Sequence, residues 1–325
     1  MGYDIEIGQV LDRRFRITGL LSEGGMAKVF RALDLATLGE VAVKVPLMKY
    51  ESDPTFYRQF QREEAIAGAL DHPSVIRIIK VDESARSRPY IVTELLEGRT
   101  LDTLIPDRTM DLTFAISVMT RLCDVFSYIH QQGVVHRDIK PGNIMCCNDG
   151  SIRVLDFGLA ITPTQKKVAP SGLAGDIGTL VYMAPEQARG KRGDARVDVY
   201  ALGSILYEMA TGHRPFPMED QEEAAMARVT GDPPAPCQLN PEIAPELEEI
   251  ILRAVARQPE QRYPNCEAFK KDLEDPHKVC VTGLATRLTP PRPYRPLLGL
   301  GIKWLAFTII PLVAFALLYF FSHHH

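Results

Sequence analysis

No acidic residue follows Asp275, no CxxC pair occurs, and no basic segment leading into an apolar run opens the chain. Each absence excludes something. The cysteines Cys123, Cys146, Cys147, Cys237, Cys266 and Cys280 have neither zinc-ligand nor disulfide-framework spacing, so free thiols in a reducing cytosol are expected. The opening MGYDIEIGQV lacks the two parts of a secretory signal. A formal net charge of −4 over 325 residues gives no reason to expect nucleic acid as a partner. There is no internal repeat or low-complexity tract, and 46% hydrophobic with 24% charged residues describes a globular chain with material for a sizeable core.

The missing acids at the C-terminal end leave Lys278, Arg287, Arg292, Arg295 and Lys303 unbalanced. Beyond them, Trp304 to Phe321 is free of charge for 18 residues. As a helix that stretch is ~27 Å long, against a hydrocarbon core of ~30 Å. A transmembrane helix over 297–321 is therefore expected. The basic flank on its N-terminal side keeps the preceding residues cytoplasmic by the positive-inside rule. A membrane crossed once is the expected location.

Before that tail the chain reads as strands first and helices later. FRITGLL from Phe15, MAKVFRAL from Met26, VAVKV from Val41 and PYIVTEL from Pro89 read as strands, the first two flanking a Gly-rich turn. Residues 54–70 read as a helix with Phe56, Phe60, Ile66, Ala67 and Leu70 on its apolar face. Helical patterns dominate from about residue 111. This order argues for an α+β protein with two unlike lobes.

The most specific string is His136-Arg137-Asp138-Ile139-Lys140-Pro141-Gly142-Asn143, followed thirteen residues after Asn143 by Asp156-Phe157-Gly158. Phosphoryl transfer to a hydroxyl requires a carboxylate that orients the nucleophile and accepts its proton, together with oxygen ligands that hold a cation against the phosphates. Asp138 suits the first task; Asn143 and Asp156 suit the second.

On these residues the chain resembles the eukaryotic-type (Hanks-type) protein serine/threonine kinases, most closely the membrane-anchored bacterial ones, over about residues 15–275. The resemblance implies a bilobal protein-kinase fold, with a β-rich N-lobe and a helical C-lobe, and ATP and Mg²⁺ as cofactors, with Mn²⁺ as a substitute. It implies protein substrates, including a second copy of the chain phosphorylated in trans in a possible dimer. Asp138 is then the catalytic base, Lys140 its companion near the accepting hydroxyl, and Lys44 the lysine on the α/β-phosphates. Leu21, Ser22, Glu23, Gly24, Gly25, Met26, Ala27, Lys28 and Val29 match the phosphate-covering loop, with Ser22 and Ala27 where the family has glycine. Glu63 is the expected partner of Lys44, with neighbouring Glu64 as the rival. Glu94 and Leu96 match the backbone hinge that receives adenine, and Asn143 and Asp156 the metal ligands. Glu186 and Arg262 resemble a supporting ion pair, and Asp198 a brace for the catalytic-loop backbone. Ser171 leads Thr162 and Thr164 as a candidate activating phosphosite. The expected organisation is an extension (1–14), kinase domain (15–275), basic Pro-rich linker (276–296), transmembrane helix (297–321) and tail (322–325).

Overall fold

The computed structural model describes residues 4–51, 53–82, 84, 86–105, 110–158, 160, 179–218 and 220–292. The candidate span 297–321 and the phosphosite candidates Thr162, Thr164 and Ser171 lie outside them. Two-residue alternation builds the first lobe. In Gly39–Pro46 (β4), Val41, Val43 and Val45 are buried, while Lys44 points to the opposite face. Antiparallel pairing in the order Val10–Leu11 (β1), Phe15–Glu23 (β2), Ala27–Asp34 (β3), β4 and Ile91–Glu94 (β5) makes a five-stranded sheet. The register sets Val29 opposite Lys44, so both occupy one face. On the other face Phe15, Ile17, Phe30, Ala32 and the β4 valines form the core. The sequence reads residues 1–14 as an extension, yet Ile5 and Leu11 are buried in that core and β1 adds a strand to the sheet.

The turn between β3 and β4 is fixed by Asp34, which is 1% exposed. Its carboxylate accepts from Arg14 at 2.9 and 2.8 Å, from the Ala36 N–H at 3.0 Å and from Thr37 Oγ1 at 3.1 Å. The Arg14 guanidinium holds the Asp34 carboxyl down at about 2 against the opposing effect of burial.

Met48–Glu51 (α1) and Pro54–Ala69 (α2) flank the first sheet. Gly98–Thr100 (β6), Ile144–Cys147 (β7) and Ile152–Val154 (β8) make a second sheet of three strands, with the short helix Leu101–Leu104 (α3) after β6. The C-lobe is built on Leu112–Gln131 (α4) and, after the short helix Pro185–Ala188 (α5), on Arg196–Thr211 (α6). Asp111 caps α4 by accepting from the Phe114 N–H at 2.9 Å. Ala115, Val118, Met119, Leu122, Val125, Phe126 and Ile129 recur at three- and four-residue spacing and bury its apolar face. By length and composition alone α4 is apolar enough to cross a membrane, but that apolarity serves the C-lobe core. Fourteen of the sixteen residues of α6 are buried, as in a helix enclosed on all sides. Gln221–Thr230 (α7), Pro236–Leu239 (α8), Pro245–Ala254 (α9) and Cys266–Glu274 (α10) complete the lobe. All six cysteines are free.

The Pro- and Arg-rich stretch after Asp275 does not behave as a linker as far as residue 292. It forms two 3₁₀ turns, Pro276–Lys278 and Leu284–Arg287. The buried Glu249 of α9 accepts from Thr282 Oγ1 and, at 3.1 Å, from the Leu284 N–H. The Asp232 N–H donates to the Thr289 carbonyl at 2.7 Å, and the Thr289 N–H returns a bond to the Asp232 carboxylate at 2.9 Å. A Cβ on Gly231 would stand 2.3 Å from the Pro291 backbone, so glycine is what lets the two segments meet. The compact unit accordingly runs to Pro291.

Candidate active site

Where the two lobes face each other lies a cleft of about 460 Å³ lined by Lys44, Glu63, Asp138, Lys140, Asn143 and Asp156. Each comes from a different local cause. Lys44 reaches it because β4 alternates. Glu63 reaches it because α2 presents Phe56, Gln59, Phe60 and Glu63, three and four residues apart, on the cleft side. Asp138, Lys140 and Asn143 sit on the loop between α4 and β7, and Asp156 follows β8.

The Lys44 ammonium joins the lobes. It lies 2.6 Å from Glu63 Oε1 and 3.1 Å from Asp156 Oδ2. Glu64 turns away and takes a two-pronged bond from Arg86 instead. Burial pushes the Glu63 carboxyl up, the Asp156 carboxylate adds to that, and Lys44 opposes both. For Asp156 burial is outweighed by Lys44 and by the Gly158 N–H, which donates to Oδ1 at 2.8 Å, and its carboxyl is held low. A Cβ at Gly158 would lie 3.1 Å from that same oxygen and 3.6 Å from Glu63, so this turn has room for little beyond glycine.

Asp138 is mostly buried, with Lys140 Nζ at 3.3 Å from its carboxylate. Burial pushes its carboxyl up, against the pull of Lys140. Asn143 Nδ2 donates to the Asp138 carbonyl at 3.0 Å and approaches its carboxylate at 3.4 Å. With the amide nitrogen so engaged, the amide oxygen is the end of Asn143 that could face a cation. Arg137 takes a left-handed backbone, φ 71°, which is strained for a residue with a Cβ. The fully buried Asp198 of α6 holds that shape by accepting from the His136 and Arg137 N–H groups at 2.9 and 2.8 Å, and His130 Nε2 lies 2.7 Å from the same carboxylate. Outside the cleft, Arg262 meets Glu186 in two bonds of 2.7 Å, its guanidinium wholly enclosed.

Of the nine residues expected in the phosphate-covering loop, Ser22, Gly24, Met26, Ala27 and Val29 line the cleft. Leu21, Glu23, Gly25 and Lys28 do not. Lys28 faces outward, 3.3 Å from Asp4 and 3.5 Å from Glu23. Glu94 ends β5, its N–H donating to the Arg77 carbonyl at 3.0 Å; neither it nor Leu96 is among the cleft-lining residues. Gln59 and Asp102 line the cleft without having been singled out. Helical spacing from Glu63 points back to Gln59, whereas nothing in the sequence marks Asp102.

The family description "Protein kinase domain" matches residues 15–273. Among curated proteins the chain is 37% identical over 274 residues to the serine/threonine-protein kinase PknB of Mycolicibacterium smegmatis, which covers 83% of this chain and 44% of that protein. It is 39% identical over 267 residues to the PknB of Mycobacterium leprae, covering 81% and 43%. The chain thus spans less than half the length of these relatives. Among solved structures, the PknI kinase domain of Mycobacterium tuberculosis aligns with a TM-score of 0.66 over 85% of this chain and all of that one, at 24% identity, a likeness of fold alone. With the Lys44–Glu63–Asp156 bridge and the Asp138 loop set in one cleft, these matches identify the chain as a member of the protein kinase family.

Proposed function

We propose that the chain is an ATP-dependent protein serine/threonine kinase that transfers the γ-phosphate of ATP to Ser/Thr hydroxyls of protein substrates, itself included, from the cytoplasmic face of a membrane. The observation that carries this reading is the Lys44 ammonium bridged between Glu63 and Asp156 above a loop bearing Asp138, Lys140 and Asn143. Lys44, held on both sides, is the residue assigned to the α/β-phosphates. Asp138 orients the acceptor hydroxyl and takes its proton as the oxygen bonds to the γ-phosphorus and the bond to the β–γ bridging oxygen breaks. Its buried setting favours this role, because a carboxylate pushed up by burial is a better proton acceptor. Lys140, beside it, balances negative charge on the group in transit.

Protein kinases use ATP and a divalent metal. Asn143 and Asp156 offer an amide oxygen and a carboxylate, a hard-oxygen pair suited to Mg²⁺, for which Mn²⁺ would substitute. Among the described residues no group of three or more His, Cys, Asp or Glu forms a cage of its own, so such an ion would share its coordination with phosphate oxygens and water. When bound it would neutralise phosphate charge. Membrane attachment rests on the uncharged run Trp304 to Phe321 and its basic flank. The test is a phosphate-transfer assay on Asp138→Asn. A ~10²–10⁴-fold loss in kcat is expected while ATP binding persists, and retention of more than about a tenth of wild-type kcat would remove Asp138 from this role.

A further inference from the structure

The reactive pair Lys44–Glu63 depends on how α2 is rolled about its own axis. Glu64, the next residue, lies about 100° further round the helix. It is gripped from outside by Arg86, in the loop before β5. Arg86 Nη1 and Nη2 donate to the two Glu64 oxygens at 2.8 and 2.5 Å. The same guanidinium donates to the Tyr90 carbonyl at 2.9 Å and the Val81 carbonyl at 3.0 Å, and lies over the Tyr90 ring at 5.2 Å. Val81 and Tyr90 flank the loop's stem, which is closed by the Ile79 N–H bond to the Val92 carbonyl. Arg86 therefore anchors Glu64 to the backbone of the sheet. Both side chains are largely sheltered, at 11% and 21% exposure, and the fork is bidentate, unlike a solvated surface pair.

Ile66 and Ala67 of α2 are buried in the core, but packing on the loop side of the helix is incomplete. Between α2 and the loop is a cavity of about 240 Å³ bordered by Tyr57, Phe60, Gln61, Arg86 and Arg88. Arg88, across it, pairs with Glu51 at the end of α1, just ahead of α2. A roll of α2 by about 20° would carry a side-chain tip at ~5 Å radius through roughly 2 Å. That is enough to part Lys44 from Glu63, and it would also break the Arg86 fork.

We propose that Arg86 and Glu64 are positioning residues for phosphoryl transfer: together they set the roll of α2 that presents Glu63 to Lys44. This rests on the kinase reading above. The experiment is a double-mutant cycle in the full chain between Glu64→Gln and Glu63→Gln, read by kcat, by KM for Mg-ATP and by the dissociation constant of Mg-ADP, with thermal midpoints alongside. Glu64→Gln is expected to lower kcat/KM for Mg-ATP and weaken Mg-ADP by about tenfold, within the range of coupled neighbours. In the Glu63→Gln background the same change is expected to cost less than about twofold, because the pair it serves is already gone. Arg86→Lys, which keeps the charge and loses the fork, is expected to fall between wild type and Glu64→Gln, and replaces Glu64→Gln in the cycle should that variant not fold. Equal losses in both backgrounds, or none in either, would overturn the proposal. Mg-ADP binding needs no turnover, so the cycle can be read in variants too slow to assay. Absence of protein phosphorylation by the wild-type chain would count against the kinase reading instead.

Discussion

Replacing Glu186 by glutamine keeps the volume of the side chain and removes one charge from the least hydrated ion pair in the C-lobe. Arg262 is left with a guanidinium whose side chain is 0% exposed. It retains bonds to the carbonyls of Ala256 at 2.7 Å, Arg196 at 3.0 Å and Arg257 at 3.2 Å, and its place over the Tyr200 ring at 4.9 Å. Those groups satisfy its hydrogens without neutralising its charge. Removing one partner of a buried pair costs about 3–5 kcal/mol, and the retained carbonyls place the expected loss near ~3 kcal/mol. For a domain this large, each kcal/mol moves the melting midpoint by about 2–4 °C, so Glu186→Gln should melt roughly 6–12 °C below wild type by calorimetry of residues 1–292. Replacing both partners with Leu and Met should recover part of that loss, since no unpaired charge then remains. A shift of under about 2 °C in Glu186→Gln would refute the view that this carboxylate is needed for charge compensation.

The Asp34 carboxyl, held near 2 in the folded chain and 3.8 ordinarily, contributes stability that is complete above about pH 4 and fades as pH falls towards 2. Urea denaturation of wild type and Asp34→Asn should differ by ~2 kcal/mol more at pH 6 than near pH 2, and a pH-independent difference would contradict the Arg14 pairing. Ending the chain at Asp275 instead of residue 292 strips Glu249 of Thr282 and Leu284 and takes Thr289 from Asp232, which keeps Arg257. At ~1 kcal/mol per hydrogen bond, the shorter form should melt several degrees lower, and identical midpoints would show that the segment adds nothing. The full chain should sediment with membranes and resist high-salt extraction, as a spanning helix does and a basic surface patch does not; release by salt would end the proposal of a span.

What could be read from the sequence followed from local rules. The β4 valines announce their strand, and the strings around Asp138 and Asp156 announce their cleft, because each is short and chemically dense. The choice between Glu63 and Glu64 was of another kind. They differ by one helical step, and which faces Lys44 depends on where the sheet lies, which no local pattern carries. Within the phosphate-covering loop the sequence does not tell which side chains face the cleft, for a related reason. Side chains on the hairpin alternate, so Lys28 points outward while Ala27 and Val29 point in. Residues 276–292 read as a linker because Pro and Arg composition dominates, while their attachment depends on Thr282 and Thr289 meeting Glu249 and Asp232. Single hydrogen bonds of that sort leave no periodic trace.

The strained turn at Arg137 also makes the reactive loop dependent on a later part of the chain. Its brace, Asp198, is translated sixty-one residues later, so the ribosome releases the reactive loop well before the helix that shapes it. A nascent chain that has not reached α6 carries every reactive side chain up to Asp156 and cannot hold them in working geometry. Stalled chains ending before Asp198 should therefore show no autophosphorylation even when supplied with ATP. Activity should emerge only once α6 has cleared the exit tunnel.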